Sequence, residues 1–76
     1  MNTAIGKKLK ALRKNKGISQ EVVADYLNIS QSAYSRIENG QSYSWSLHIE
    51  KICKLYSISM EVLVFGITTN DSPTTP

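Results

Sequence analysis

The chain has 76 residues, nine Lys/Arg against six Asp/Glu, one His, one Cys and a formal net charge of +3. That length holds one small domain, and its longest apolar run, Val62 to Phe65, falls far short of the roughly 20 residues of a membrane-crossing helix. One Cys and one His cannot supply an internal disulfide or a zinc site. No signal peptide opens the sequence, so the expected compartment is a reducing cytoplasm. A domain this short buries only about 60% of its unfolded surface and depends on tight helix packing or on a partner chain.

Ile5, Leu9 and Leu12 recur at i, i+4 and i+7. This spacing predicts an amphipathic helix from Thr3 to Asn15, closed by Gly17 in a left-handed cap. Lys7, Lys8, Lys10, Arg13, Lys14 and Lys16 fall in this first stretch, which contains no acid, whereas the chain from Gly17 onward holds three bases and six acids. A cationic helix of this kind points to a polyanion or an acidic surface, although a solvated basic face that aids solubility has the same pattern.

Ser19 is placed to cap a second helix ending at Leu27, with Gln20 and Glu21 in its first turn and Val22, Val23, Ala24 and Leu27 as its apolar side. Asn28 tolerates the left-handed region. Ser30 then opens a third helix, Gln31 to Asn39, which Gly40 terminates. Its only apolar residues are Ala33, Tyr34 and Ile37, so most of its surface faces something wet. Residues 41–45 read as a loop. Ser46 is expected to cap a fourth helix carrying Ile49, Ile52, Cys53 and Tyr56 as a buried stripe. Ser59 caps a fifth, with Val62, Leu63 and Phe65 inward and Gly66 at its end. The expected architecture is all-α, a compact five-helix domain over residues 1–66 with a flexible tail at 67–76.

The informative stretch is S-Q-E-V-V-A-D-Y-L-N-I-S-Q-S-A-Y-S-R-I-E-N-G, residues 19–40. Two short capped helices are joined by the turn Asn28, Ile29, Ser30. Ala24 sits where the second helix must approach the third, and Ile29 plugs the corner. Gln31, Ser32, Ser35 and Arg36 are left on the outer face of the third helix. Arg can bond O6 and N7 of guanine, and Gln can bond N6 and N7 of adenine.

These residues resemble the helix-turn-helix domain of the phage-repressor and Cro type. The likeness extends to L-R-K-N-K-G-I-S-Q before them and I-C-K-L-Y-S-I-S-M-E-V-L after them, so it runs from about Ile5 to Gly66. The resemblance implies that Gln31, Ser32 and Arg36 read bases in the major groove and that Ser35 reaches a base or the backbone. It implies phosphate contacts at Gln20 through its side chain and N–H, at Ser30, at Asn39, and at Ser42 and Ser44 in the loop after Gly40. Arg13 and Glu38 match an ion pair tying the first helix to the end of the third. Arg13 then either braces the fold or is held beside a phosphate. Ser57 stands where such domains usually have glycine, which puts the cap after the fourth helix in question. The loop Gln41, Ser42, Tyr43, Ser44 lacks the usual Lys/Arg, so each missing phosphate contact lowers the salt slope by roughly 0.9.

Other residues leave alternatives open. Trp45 either plugs the core or projects into a partner. Met60, Val64 and Ile67 either form a dimer seam or complete the monomer core. His48 reads as a surface residue and Cys53 as core. The functional expectation is a double-stranded-DNA-binding transcriptional regulator, a repressor acting as a homodimer on a palindromic operator. The alternative is an antitoxin or other protein-binding module of the same fold, with a toxin or anti-repressor as partner. No catalytic pair, cofactor, metal, small-molecule substrate or membrane contact is expected.

Overall fold

The structure, a computed structural model, describes residues 2–66. Five α-helices follow in order: α1 Asn2–Lys16, α2 Gln20–Leu27, α3 Gln31–Glu38, α4 Ile49–Tyr56 and α5 Met60–Phe65, with a 3-10 turn, Ser44–His48, ahead of α4. The expected tail at 67–76, including Ile67, lies outside the described residues.

Serine chemistry starts three of the helices. The Oγ atoms of Ser19, Ser30 and Ser59 accept from the N–H groups of Val22 (3.2 Å), Ala33 (3.1 Å) and Val62 (3.2 Å). Each thereby satisfies a donor that the first helical turn leaves without a partner. Left-handed residues end three of the helices: Asn28 closes α2 at φ 62°, Ser57 closes α4 at φ 54°, and Gly66 closes α5. The cap after α4 therefore forms with serine in place of glycine, and the Ile58 N–H still reaches the Cys53 carbonyl at 3.1 Å.

α3 packs on both α2 and α1, while α5 packs on α4 and α1. The buried core is Ile5, Leu9, Val23, Ala24, Leu27, Tyr34, Ile37, Trp45, Ile52 and Leu63. Trp45 is thus the plug of the two alternatives. Its indole Nε1–H donates to Asn2 Oδ1 at 2.9 Å, which gives the buried ring its polar partner and joins the turn to the start of α1.

Several sequence expectations need correction. α1 extends one residue further at each end, and α3 ends at Glu38 with Asn39 as its cap. Ser46 does not cap α4. Docking of Trp45 winds residues 44–48 into the 3-10 turn, the Ser46 hydroxyl donates to the Tyr43 carbonyl at 2.9 Å, and α4 starts without a side-chain cap. Val22 is 49% exposed, because Val23, Ala24 and Leu27 already fill the buried side of α2, which meets α3. Phe65 is 66% exposed. Leu63 takes the inward position of this six-residue helix, and a residue two positions on lies about 200° around the axis. Val64 is half-buried against the core, and Met60 is exposed.

One position that sequence patterning passed over sets the α1–α3 distance. Gly6 is buried, and a Cβ there would lie 2.7 Å from the Ile37 carbonyl oxygen and 2.8 Å from the Glu38 carbonyl carbon, both backbone atoms. Only glycine lets α1 lie this close to the last turn of α3.

Gly6 and Ser57 thus predict opposite outcomes for two exchanges. Gly6→Ala is expected to destabilise by about 1–3 kcal/mol through overpacking, although Ala is the better helix former by roughly 1 kcal/mol. Ser57→Gly is expected to stabilise by about 1 kcal/mol, by removing a side chain from the left-handed region. Thermal unfolding checks both, at roughly 4–8 °C in Tm per kcal/mol; a Tm rise in Gly6→Ala contradicts the close approach.

Candidate nucleic-acid interface

α3 is amphipathic in an unusual sense, since its outer side is polar and nearly uncharged. Tyr34, Ile37 and Glu38 are buried, whereas Gln31, Ser32 and Arg36 are exposed and Ser35 is half-buried. At 100° per residue, positions 31, 32, 35 and 36 occupy an arc of about 140°, wide enough for one helix face to reach along a groove. The helix is rigidly mounted at both ends. Ser30 caps its start while Ile29, half-buried against the core, fills the turn before it. At its other end, Gly6 admits α1, and Gly40, at φ 77°, lies against Thr3.

The flanking positions differ in how free they are. Asn39 is exposed beyond the end of α3. The Ser30 hydroxyl oxygen already accepts from Ala33, which leaves its hydrogen for an outside acceptor. Ser42 and Ser44 are tied to each other: Ser42 Oγ donates to Ser44 Oγ at 2.9 Å and accepts from the Ser44 N–H at 3.0 Å. Between them Tyr43 is 78% exposed, and just beyond, Leu47 is 80% exposed. The cations Lys7, Lys10, Lys14 and Lys16 are exposed along α1. Lys8 is turned to another task, donating to the carbonyls of Val62 (3.2 Å) and Leu63 (3.0 Å) at the end of α5, where a helix favours positive charge.

Arg13 and Glu38 form the ion pair that the resemblance implied. Arg13 Nε lies 2.7 Å from Glu38 Oε2 and Nη2 lies 3.2 Å from Oε1; Nη1 donates to the Ile18 carbonyl at 3.1 Å. The side chains are 12% and 1% exposed, so three of the five guanidinium donors are committed inside the fold. Gln20 joins the same cluster. Its Nε2 donates to Glu38 Oε1 at 3.1 Å, a bond that no local sequence pattern announces because it spans 18 positions. The backbone N–H groups of Gln20 and Glu21, in the first turn of α2, find no acceptor among the described residues.

Burial pushes the Glu38 carboxyl up, but the Arg13 guanidinium, the nearby Tyr34 hydroxyl and the Gln20 amide outweigh it and hold the group below its ordinary value. Burial also pushes the phenols of Tyr34 and Tyr56 up, and both hydroxyls are enclosed without a hydrogen-bond partner of good geometry. Burial raises the half-buried Cys53 thiol as well, which favours its inert form.

The ion pair has a pH signature. Because the folded carboxyl titrates below its ordinary 4.5, its contribution is complete above that value and is lost as pH falls through the folded pKa. Arg13→Met leaves a buried carboxylate unpaired and is expected to destabilise by about 3–5 kcal/mol, whereas Arg13→Met with Glu38→Met recovers much of this loss. Tm measured from about pH 6 to 3 is expected to fall more steeply in the natural chain than in the double variant. Parallel curves would show that the pair adds no acid-sensitive stability.

This geometry has counterparts among known proteins. A family model described as helix-turn-helix matches residues 9–63, which span all of α2 and α3. The HTH-type transcriptional activator BcrR of Enterococcus faecalis is 34% identical over 59 residues, covering 78% of this chain and 29% of that protein. The SPbeta prophage-derived uncharacterized HTH-type transcriptional regulator YonR of Bacillus subtilis (strain 168) is 31% identical over 61 residues, covering 80% of this chain and 56% of that protein. The chain thus spans less than two thirds of the length of either relative. With a matching family model over most of its length and a fold of five helices, the chain belongs to the helix-turn-helix family of phage-repressor and Cro type.

Proposed function

We propose that the chain is a sequence-specific double-stranded-DNA-binding regulator of transcription that acts in the cytoplasm as a homodimer on a palindromic operator, and that it represses by occluding polymerase. The observation that carries this reading is the outer face of α3. A capped helix, backed by core residues Tyr34 and Ile37, presents Gln31, Ser32 and Arg36 to the outside. Arg36 is assigned to guanine and Gln31 to adenine, with Ser32 and Ser35 beside them. Gln20, Ser30, Asn39, Ser42 and Ser44 are assigned to the phosphates that fix register. Arg13 is assigned chiefly to bracing the fold, since its donors turn inward. Residues 1–66 form the binding domain in this reading, and 67–76 its tail.

The names of both relatives, an activator and a regulator, support control of transcription. The homodimer is supported by apolar surface outside α3: Met60 and Phe65 of α5 are exposed, and a groove lined by Ala11, Leu12, Ile58 and Val62 runs between α1 and α5. Two copies would set their third helices about 34 Å apart, in successive major grooves. The contact groups are those of recognition and offer no nucleophile with a base beside it, so no catalytic step is assigned.

Selection from a random duplex pool by the purified protein near physiological salt tests the reading. Enrichment of a palindrome with fixed half-site spacing is expected. A single enriched half-site removes the dimer but keeps DNA reading, and weak binding without enrichment moves the assignment to a toxin-like or anti-repressor-like protein partner. On the selected site, Arg36→Ala is expected to lose about 1–3 kcal/mol and relax preference at one base pair. Unchanged preference in that variant excludes α3 as the reader.

A further inference from the structure

Glu38 lies on the buried side of α3, yet one of its oxygens holds a side chain at the surface of α2. Gln20 Nε2 donates to Glu38 Oε1 at 3.1 Å, and the carboxylate is itself clamped from α1 by two bonds from Arg13. We propose that Glu38 is a positioning residue for the phosphate contact of Gln20, a role that rests on the DNA-binding reading above.

A carboxamide has one acceptor end and one donor end, and a free glutamine can turn either toward a phosphate. The acceptor end would repel it. Ionised Glu38 only accepts, so the amide nitrogen must face it, and that fixes the plane of the group with one N–H used and the second left over. Gln20 is half-buried at the start of α2, where its own backbone N–H and that of Glu21 have no acceptor among the described residues. The spare side-chain N–H and these backbone groups belong to one short stretch at a helix N-terminus, which favours an anion. Holding the rotamer before binding also removes its entropy loss from the binding step. Arg13 supplies the last requirement. It neutralises Glu38, so that an approaching phosphate meets a neutral pair and not a bare carboxylate.

The alternative is that Glu38 serves only the fold, and stability alone cannot separate the two roles. The discriminating experiment is a double-mutant cycle read as affinity for the selected operator. Gln20→Leu is expected to weaken binding about tenfold in the natural chain, the size of one hydrogen bond to a charged group. It is expected to weaken it equally in a Glu38→Gln background, where a carbonyl oxygen still accepts from Gln20. In a Glu38→Met background the same exchange is expected to change affinity less than about twofold. An equal loss in the Met background overturns the proposal. No loss from Gln20→Leu in the natural chain also overturns it while leaving DNA binding intact, and an absence of operator binding by the natural chain sinks the DNA reading itself. Should Glu38→Met fail to fold, side-chain amide NMR of the natural chain decides. A Gln20 Nε2 pair with one proton shifted downfield in the free chain and the second shifting when the operator binds is expected, and a pair at random-coil positions, or one that the operator leaves unmoved, overturns the assignment.

Discussion

The arrangement of the first three helices depends on one buried ion pair. Arg13 reaches from α1 to Glu38 in the last turn of α3, and its remaining bond, to the Ile18 carbonyl, fixes the connection into α2. A pair taken out of water adds little net stability, since desolvation offsets most of the attraction. What it adds is direction. A carboxylate bonded at both oxygens has few alternative positions, so α3 is held at one angle to α1 and α2. Gly6 works with it by letting the backbone of α1 lie against the carbonyls of Ile37 and Glu38. A larger residue there would lengthen the ion pair and tilt α3 with it.

The polar face that results is unusual in its charge. α1 carries most of the positive charge, while the outer side of α3 has Arg36 as its only formal charge and the loop after Gly40 has none among Gln41, Ser42, Tyr43 and Ser44. That face offers fixed hydrogen-bonding groups and few charges whose pairing would release counterions. The mutual bonds of Ser42 and Ser44 stiffen that loop. Positioning and charge are thus divided between different elements of the domain.

Much of this was legible in the sequence, for reasons that particular residues make plain. Ser19, Ser30 and Ser59 announced helix starts because a cap is local chemistry, settled within three residues. Ser46 misled because Trp45 docks in the core and bonds Asn2, 43 positions away, and this tertiary contact chose the 3-10 turn. Phe65 misled because Val62, Leu63, Val64 and Phe65 are all apolar, so periodicity has nothing to discriminate on in six residues. Gly6 did carry a signal, since glycine inside a helical pattern often marks a close backbone approach. The outer face of α3 was readable through its lack of apolar residues. The Gln20–Glu38 bond was not, since both residues look like ordinary polar surface until the fold brings them together.

The attachment of α5 has a dynamic consequence. This helix has six residues, far below the length at which a helix persists alone. Its only fully buried side chain is Leu63, and its end is held by the Lys8 ammonium through two carbonyls. α1, α2 and α3 share the greater part of the core and the ion pair. On so slight an attachment α5 is expected to open on its own, exchanging its amide hydrogens before α1 to α4 unfold. A partner seated on α5 would close that opening and slow the exchange, so hydrogen-exchange protection of the α5 amides becomes a readout of assembly that leaves α3 undisturbed.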